Sequence, residues 1–264
     1  MTFVLIPLLA ALGYLLAAGW LVRDHVLDSE KPRVALVFVL PAIALQTLAH
    51  GIDWHELNGP DLHFFSALSL VGLGMAVLTT IAALNQRIEA LGIVVYPLAA
   101  VALLLFHFYG HGHAENLDWR LMLHAWLALL AYATLAIAAL LALMLWFQER
   151  ALRNRQIHGW LRALPPLTQL ETLLFRSLGA SFFLLTLALV TGVLFVENLL
   201  AQHLWHKTVL SLLSWIVLAT LLFGRWRYGW RGPRAVKLTL TAMALLLLAF
   251  FGSKFVLELV LNRA

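Results

Sequence analysis

Imidazole is the group in this sequence most able to do chemistry. Eleven histidines occur with no cysteine, which excludes disulfides and thiolate metal sites. Neutral imidazole ligates haem iron, zinc, copper and nickel. His25 and His158 stand among arginines. The other nine are His50, His55, His63, His107, His111, His113, His124, His203 and His206. These fall at, or between, the ends of long apolar segments, all on one side. His50 and His124 each close such a segment, where an unpaired polar ring is costly. His50 follows Gln46 by four residues, so the two share a helix face within hydrogen-bonding reach. His124 begins a face continued by Ala128, Ala131, Leu135, Ala138 and Ala142. That face of mostly small residues admits either a flat ligand or a neighbouring helix.

A second cluster competes. His107, His111 and His113, with Glu115 and Asp118 beyond them, have the composition of a zinc or nickel sphere. On this alternative reading the chain is a divalent-metal transport accessory or sensor. His55 and His63 read as solvated loop residues. No nucleophile and base share a face, so no catalytic constellation is present and the chain reads as a non-enzyme. Lys254 and Glu258, one turn apart, neutralise each other.

The elements that position these groups follow from composition. Of 264 residues, 62% are hydrophobic and 12% charged, against roughly 45–50% and about 25% in soluble domains. A soluble enzyme, a disordered tail and a coiled coil are excluded. The net charge of +5 requires no nucleic acid, because basic residues concentrate in cytoplasmic loops. Eight stretches are long and apolar enough to span, or nearly so: 2–22, 34–50, 64–84, 90–109, 121–147, 177–197, 207–224 and 236–261. The expected fold is all-α: one polytopic membrane domain, residues 1–264, of eight transmembrane helices. The first stretch has no basic residue before it and reads as a retained span. The odd-numbered loops hold fourteen Lys and Arg, the even-numbered ones only Arg120 and Lys207. Both termini should therefore face outward, which puts the nine histidines at the outer face.

Pro41 predicts a kink in the second span. Gly72 and Gly74, with Ser66, Ser69 and Ala76, give the third a packing surface of small residues. In the longest loop, 148–176, Thr168 and Glu171 have capping-box spacing. The apolar positions Leu170, Leu173, Leu174 and Leu178 predict an amphipathic elbow over 167–176 or a plain extension of span six. The arginines from 225 to 234 read as an inner-face anchor for lipid phosphates, or as a grip on haem propionates.

Three separated segments carry a family resemblance. The run from Leu123-His124-Ala125-Trp126 to Ala131-Tyr132-Ala133 resembles a helix of CcsA-type cytochrome c assembly proteins. Lys207 through Trp215, then Gly224-Arg225 and Gly229-Trp230-Arg231-Gly232, resembles a second motif of that family, and Phe251-Gly252-Ser253 a third. Order and spacing agree over roughly residues 60–262, and the eight-span HemX-like or YpjD-like inner-membrane subgroup is the most similar.

The resemblance implies an inner (plasma) membrane protein that binds or passes haem at its outer face, the haem b-type. Implied partners are haem, apocytochrome c or other cytochrome assembly proteins, and membrane lipids. His124 falls on the family's first outer-face haem histidine. His206, His50 and His203 are candidate second ligands, and Trp205 and Trp126 candidates to pack on the macrocycle. The sequence departs from the family pattern in three places. The Trp-Asp signature is absent before Lys207. Phe223 or Gly224 replaces a membrane histidine. No histidine ends the last span.

Overall fold

Long runs of Leu, Ala and Val with few charges must satisfy their own backbone groups in hydrocarbon, and the helix does so. The computed structural model describes residues 2–26, 33–85, 89–110, 118–154, 166–195 and 205–255. All regular structure among the described residues is helical. The elements are α1 (Thr2–Val26), α2 (Val34–Leu57), α3 (Phe64–Asn85), α4 (Glu89–Tyr109), α5 (Trp119–Arg153), α6 (Leu167–Phe195), α7 (Trp205–Tyr228) and α8 (Pro233–Leu247). A π-helical turn, Leu248–Gly252, continues α8. Among the described residues, eight helices are long and apolar enough to cross a membrane.

Contacts divide the chain into two units, residues 1–116 and 117–264. In the first, α1 packs on α2 and α4, and α3 packs on α4. Gly72 is the close approach of α3 to α4: a methyl group there would stand 3.3 Å from Ala102 Cβ and from Ala99 Cα. In the second, α5 and α6 form the most extensive pair, α7 pairs with α8, and α8 also packs on α5.

Several boundaries differ from expectation. The second helix continues about two turns past His50 and ends only at Leu57. Asn58 then takes a left-handed conformation (φ 56°), and its N–H bonds to the Trp54 carbonyl. Asn tolerates that conformation, which stops the helix. His55 therefore lies in the last turn of α2 and not in a loop. Pro41 sits inside the continuous helix.

There is no separate elbow at 167–176. Leu170, Leu173, Leu174 and Leu178 are buried along one unbroken α6, so they pack inside the protein. Thr168 is not an N-cap either. The helix already begins at Leu167, so Thr168 stands inside its first turn, and the N–H groups of Gln169 and Leu170 bond to the Pro166 carbonyl. Residues 256–261 of the last expected span lie outside the described residues.

Candidate functional site

Asp118 starts α5: it is the N-cap, and its carboxylate accepts from the Trp119 N–H at 2.8 Å. This sets His124 on the second turn, against α6. His124 Nδ1 lies 2.8 Å from the carbonyl oxygen of Ala188 and 3.3 Å from Thr191 Oγ1. A carbonyl only accepts, so Nδ1 carries the proton and Nε2 keeps its lone pair. The Thr191 hydroxyl lies within bonding distance of the Leu187 and Ala188 carbonyls and so orients toward the same turn. No hydrogen bond engages Nε2 among the described residues. A ring N–H held by a backbone carbonyl, with the other nitrogen available, is how proteins orient metal-binding histidines. Gly192 completes the cradle: a methyl group there would stand 3.1 Å from His124 Cε1.

The small-residue face below His124 is closed. Ala131, Leu135, Ala138 and Ala142 have no exposure, and Ser181 of α6 donates to the Ala131 carbonyl at 3.2 Å. A neighbouring helix covers this face, which leaves no room along it for a flat ligand. One side of α5 faces α8, where the Tyr132 hydroxyl donates to the Leu246 carbonyl. The π-helical turn begins two residues later, and Phe251 meets the Tyr132 ring edge-on at 5.5 Å. Between α6 and α7, Trp215 donates to Thr186 Oγ1 at 2.8 Å and stacks on Phe182 at 5.3 Å. These links between α5, α6, α7 and α8 hold the frame in which His124 sits.

The other candidates fall out as follows. His206 is on the first turn of α7, its ring perpendicular to that of Trp205 at 6.5 Å. Trp205 and Trp126 are exposed. No hydrogen bond or ring contact joins these three to His124 among the described residues. His203 lies outside the described residues.

His50 belongs to the first unit and to a buried polar network. Tyr14 donates to Gln46 Oε1 at 2.7 Å. Gln46 Nε2 donates to the Ser69 carbonyl at 3.1 Å and to Ser69 Oγ at 3.0 Å. Ser69 Oγ lies 2.9 Å from His50 Nε2. Gln46 and His50 thus meet through Ser69 rather than directly. A hydroxyl offers one proton and two lone pairs, so Ser69 Oγ can accept from Gln46 and still meet His50 Nε2 as donor or as acceptor, according to the ring tautomer. The His50 ring stacks on Phe106 at 4.6 Å.

For the metal alternative, His107 is half-buried in the last turn of α4. His111 and His113 lie outside the described residues, as does Glu115. No three His, Asp or Glu side chains converge to hold a metal ion among the described residues.

At the far end of the second unit the arginines are partly engaged in closing the α7–α8 turn. Arg225 lies over Phe175 at 4.5 Å and donates to the Trp230 carbonyl at 3.4 Å. Arg231 pairs with Glu171 at 3.8 Å. Gly229 and Gly232 take positive φ (66° and 52°), which glycine allows without a side-chain clash.

Sequence reasoning missed the Ala188 carbonyl, Gly192 and the Leu246 carbonyl. Backbone acceptors carry no residue signature, and a single glycine in an apolar helix does not say which side chain packs against it.

Residues 61–261 match the profile of the family described as Cytochrome C assembly protein. The inner membrane protein YpjD of Escherichia coli is 35% identical over 205 residues, covering 77% of this chain and 78% of its own. Protein HemX of Brevibacillus brevis is 28% identical over 134 residues, 50% of this chain and 49% of its own. A cytochrome c biogenesis protein CcsA from Prochlorococcus marinus is 32% identical over 91 residues, 33% of this chain and 28% of its own. No solved structure matches.

Proposed function

The chain belongs to the cytochrome c assembly protein family, and from that premise we propose that it binds or passes haem at the outer face of the bacterial inner membrane. On this reading the two units act as one membrane domain, and both termini face outward. His124 is an axial ligand of a b-type haem. The observation that carries the reading is the bond from His124 Nδ1 to the Ala188 carbonyl at 2.8 Å, which leaves Nε2 as the donor a haem iron takes. The cradle at Gly192 and the match of His124 to the family motif support it. When bound, the haem supplies the iron centre to be delivered. The protein's part is to hold the His124 ring and its tautomer.

His206 is the proposed second ligand, because it lies on the first turn of α7 within the same unit. His203 is kept as its neighbour in sequence. His50 is less suited, since its Nε2 is already committed to Ser69. Exposed Trp126 and Trp205 supply aromatic surface for the macrocycle. Haem and other assembly proteins, apocytochrome c among them, are the proposed partners, and lipids surround the helices. The absence of the Trp-Asp signature directs the proposal to haem binding or transfer rather than attachment.

The test is the absorption spectrum of the purified protein. A Soret band is expected. His124→Ala should lower haem content, and added imidazole should partly restore it by entering the vacated position. His55→Ala, exposed on α2, should do neither. A folded His124→Ala protein with unchanged haem content and spectrum would eliminate the ligand role.

A further inference from the structure

Tyr132 reaches from α5 into the backbone of α8. In an α-helix the Leu246 carbonyl accepts from the N–H four residues on, that of Phe250. Here the Tyr132 hydroxyl donates to the Leu246 carbonyl, and the Phe250 N–H donates toward the same phenolic oxygen. One hydroxyl thus stands between the two partners of a single helical bond. A side chain inserted into the i→i−4 ladder opens it, and the π-helical turn Leu248–Gly252 lies at this point. Just past the turn, the Ser253 hydroxyl donates to the Phe250 carbonyl at 2.8 Å. Single π-turns of this kind are frequent at functional sites.

Burial along α8 records the effect. Thr239, Ala242, Leu246 and Ala249 are buried, three or four residues apart, as one face of an α-helix requires. The next position on that face is 252 or 253, yet Gly252 and Ser253 are half-buried and the buried residue is Phe251. Its ring meets Tyr132 edge-on at 5.5 Å. A π-turn holds one residue more than an α-turn. Each α-helical residue turns the chain by about 100°, so the π-turn offsets everything beyond it by that angle. Glu149 lies against Gly232 and Tyr132 against Leu246, so α5 and α8 run antiparallel. The offset end of α8 therefore leads toward the end of α5 that carries His124.

We propose that the end of α8 is a two-position element switched by Tyr132. With the hydroxyl inserted, the turn is π and Phe251 faces α5. With the hydroxyl withdrawn, the Leu246 carbonyl and the Phe250 N–H pair, the turn closes to α, and the residues beyond it rotate by about 100°. Closing regains a backbone bond, so the exchange swaps partners and strands only one hydroxyl. Tyr132 is a positioning residue, acting through the helix it opens. The inference does not rest on haem binding by His124.

The chain has no cysteine, so introduced cysteines carry spin labels without background. A label at Phe255→Cys, exposed beyond the turn, is paired in separate proteins with Val190→Cys on α6 or Leu212→Cys on α7, both exposed. Pulsed dipolar electron resonance reads the two distances in the purified full chain. Tyr132→Phe removes the hydroxyl and keeps the ring. The rotation moves a side chain on a helix roughly 10–12 Å wide by about 8 Å, so at least one distance should change by several ångströms. A label at Leu247→Cys, before the turn, should keep its distances to the same two sites. Deleting Gly252 from the Tyr132→Phe protein removes the extra residue and should return the label at 255 to its parent distances. This double variant also serves where Tyr132→Phe alone folds poorly, because its unbroken α-helix keeps the parent phase. His124→Ala should leave every distance unchanged. Unchanged distances from 255 in Tyr132→Phe, an equal shift at 247, or a double variant that stays displaced or unfolded would overturn the proposal.

Discussion

Gly192 and His124 are in close approach: a Cβ at position 192 would stand 3.1 Å from His124 Cε1. Contact that close forces the ring to give by a few tenths of an ångström. Gly192→Ala should therefore weaken the bond to Ala188 without unfolding the bundle. The expected result is a shifted Soret maximum at near-normal haem content, with thermal unfolding close to that of the parent protein. Gly192→Leu should lose the haem. An unshifted spectrum in both variants would separate Gly192 from the site.

Gln46 is the centre of the first unit's polar network and is fully buried. Gln46→Leu leaves the Tyr14 hydroxyl without its acceptor and Ser69 without its donor. A buried group left unmatched costs about 1–3 kcal/mol, while interhelical hydrogen bonds in membranes average only about 0.6 kcal/mol. A loss between these bounds is expected in reversible unfolding. Replacing Tyr14 by Phe and Ser69 by Ala in the same protein should recover part of it, because the orphaned groups are then gone. Full additivity of the three changes would contradict the network.

Trp230 folds back onto α7, and a methyl group at Gly224 would lie 2.3 Å from its Cε3 atom. Gly224→Ala should expel the indole and open the α7–α8 turn. Overpacking of this kind costs about 1–3 kcal/mol. The double variant with Trp230→Ala should be less destabilised than the sum of the two single changes. A thermal unfolding series on the four proteins reads this directly.

Orientation has its own test. A reporter fused after Ala264 should be active only outside the cytoplasm, and one at Arg155 only inside. The reverse at both sites would overturn the assignment made from Lys and Arg bias.

Composition and local pattern account for the outline of the fold. Eight apolar segments, their order and their all-helical state follow from length and the need to satisfy backbone groups in hydrocarbon. Three short motifs around His124, Lys207 to Gly232 and Phe251 were enough to indicate the family. His124 stood out because a polar ring at an apolar helix end needs a partner. The tertiary structure decided what that partner is. Ala188 lies 64 residues away in the chain, and its carbonyl is available to His124 only because α6 packs on α5. The same packing gave the small-residue face below His124 to a helix. It also turned an expected Gln46–His50 bond into a link through Ser69, 23 residues beyond Gln46. The end of α2 was hidden for a different reason. The polar run after His50 looks like a loop, yet Asp53 and Glu56 stay helical until Asn58 turns left-handed. Periodicity and composition report which face a residue is on; only the packed helices decide what meets it there.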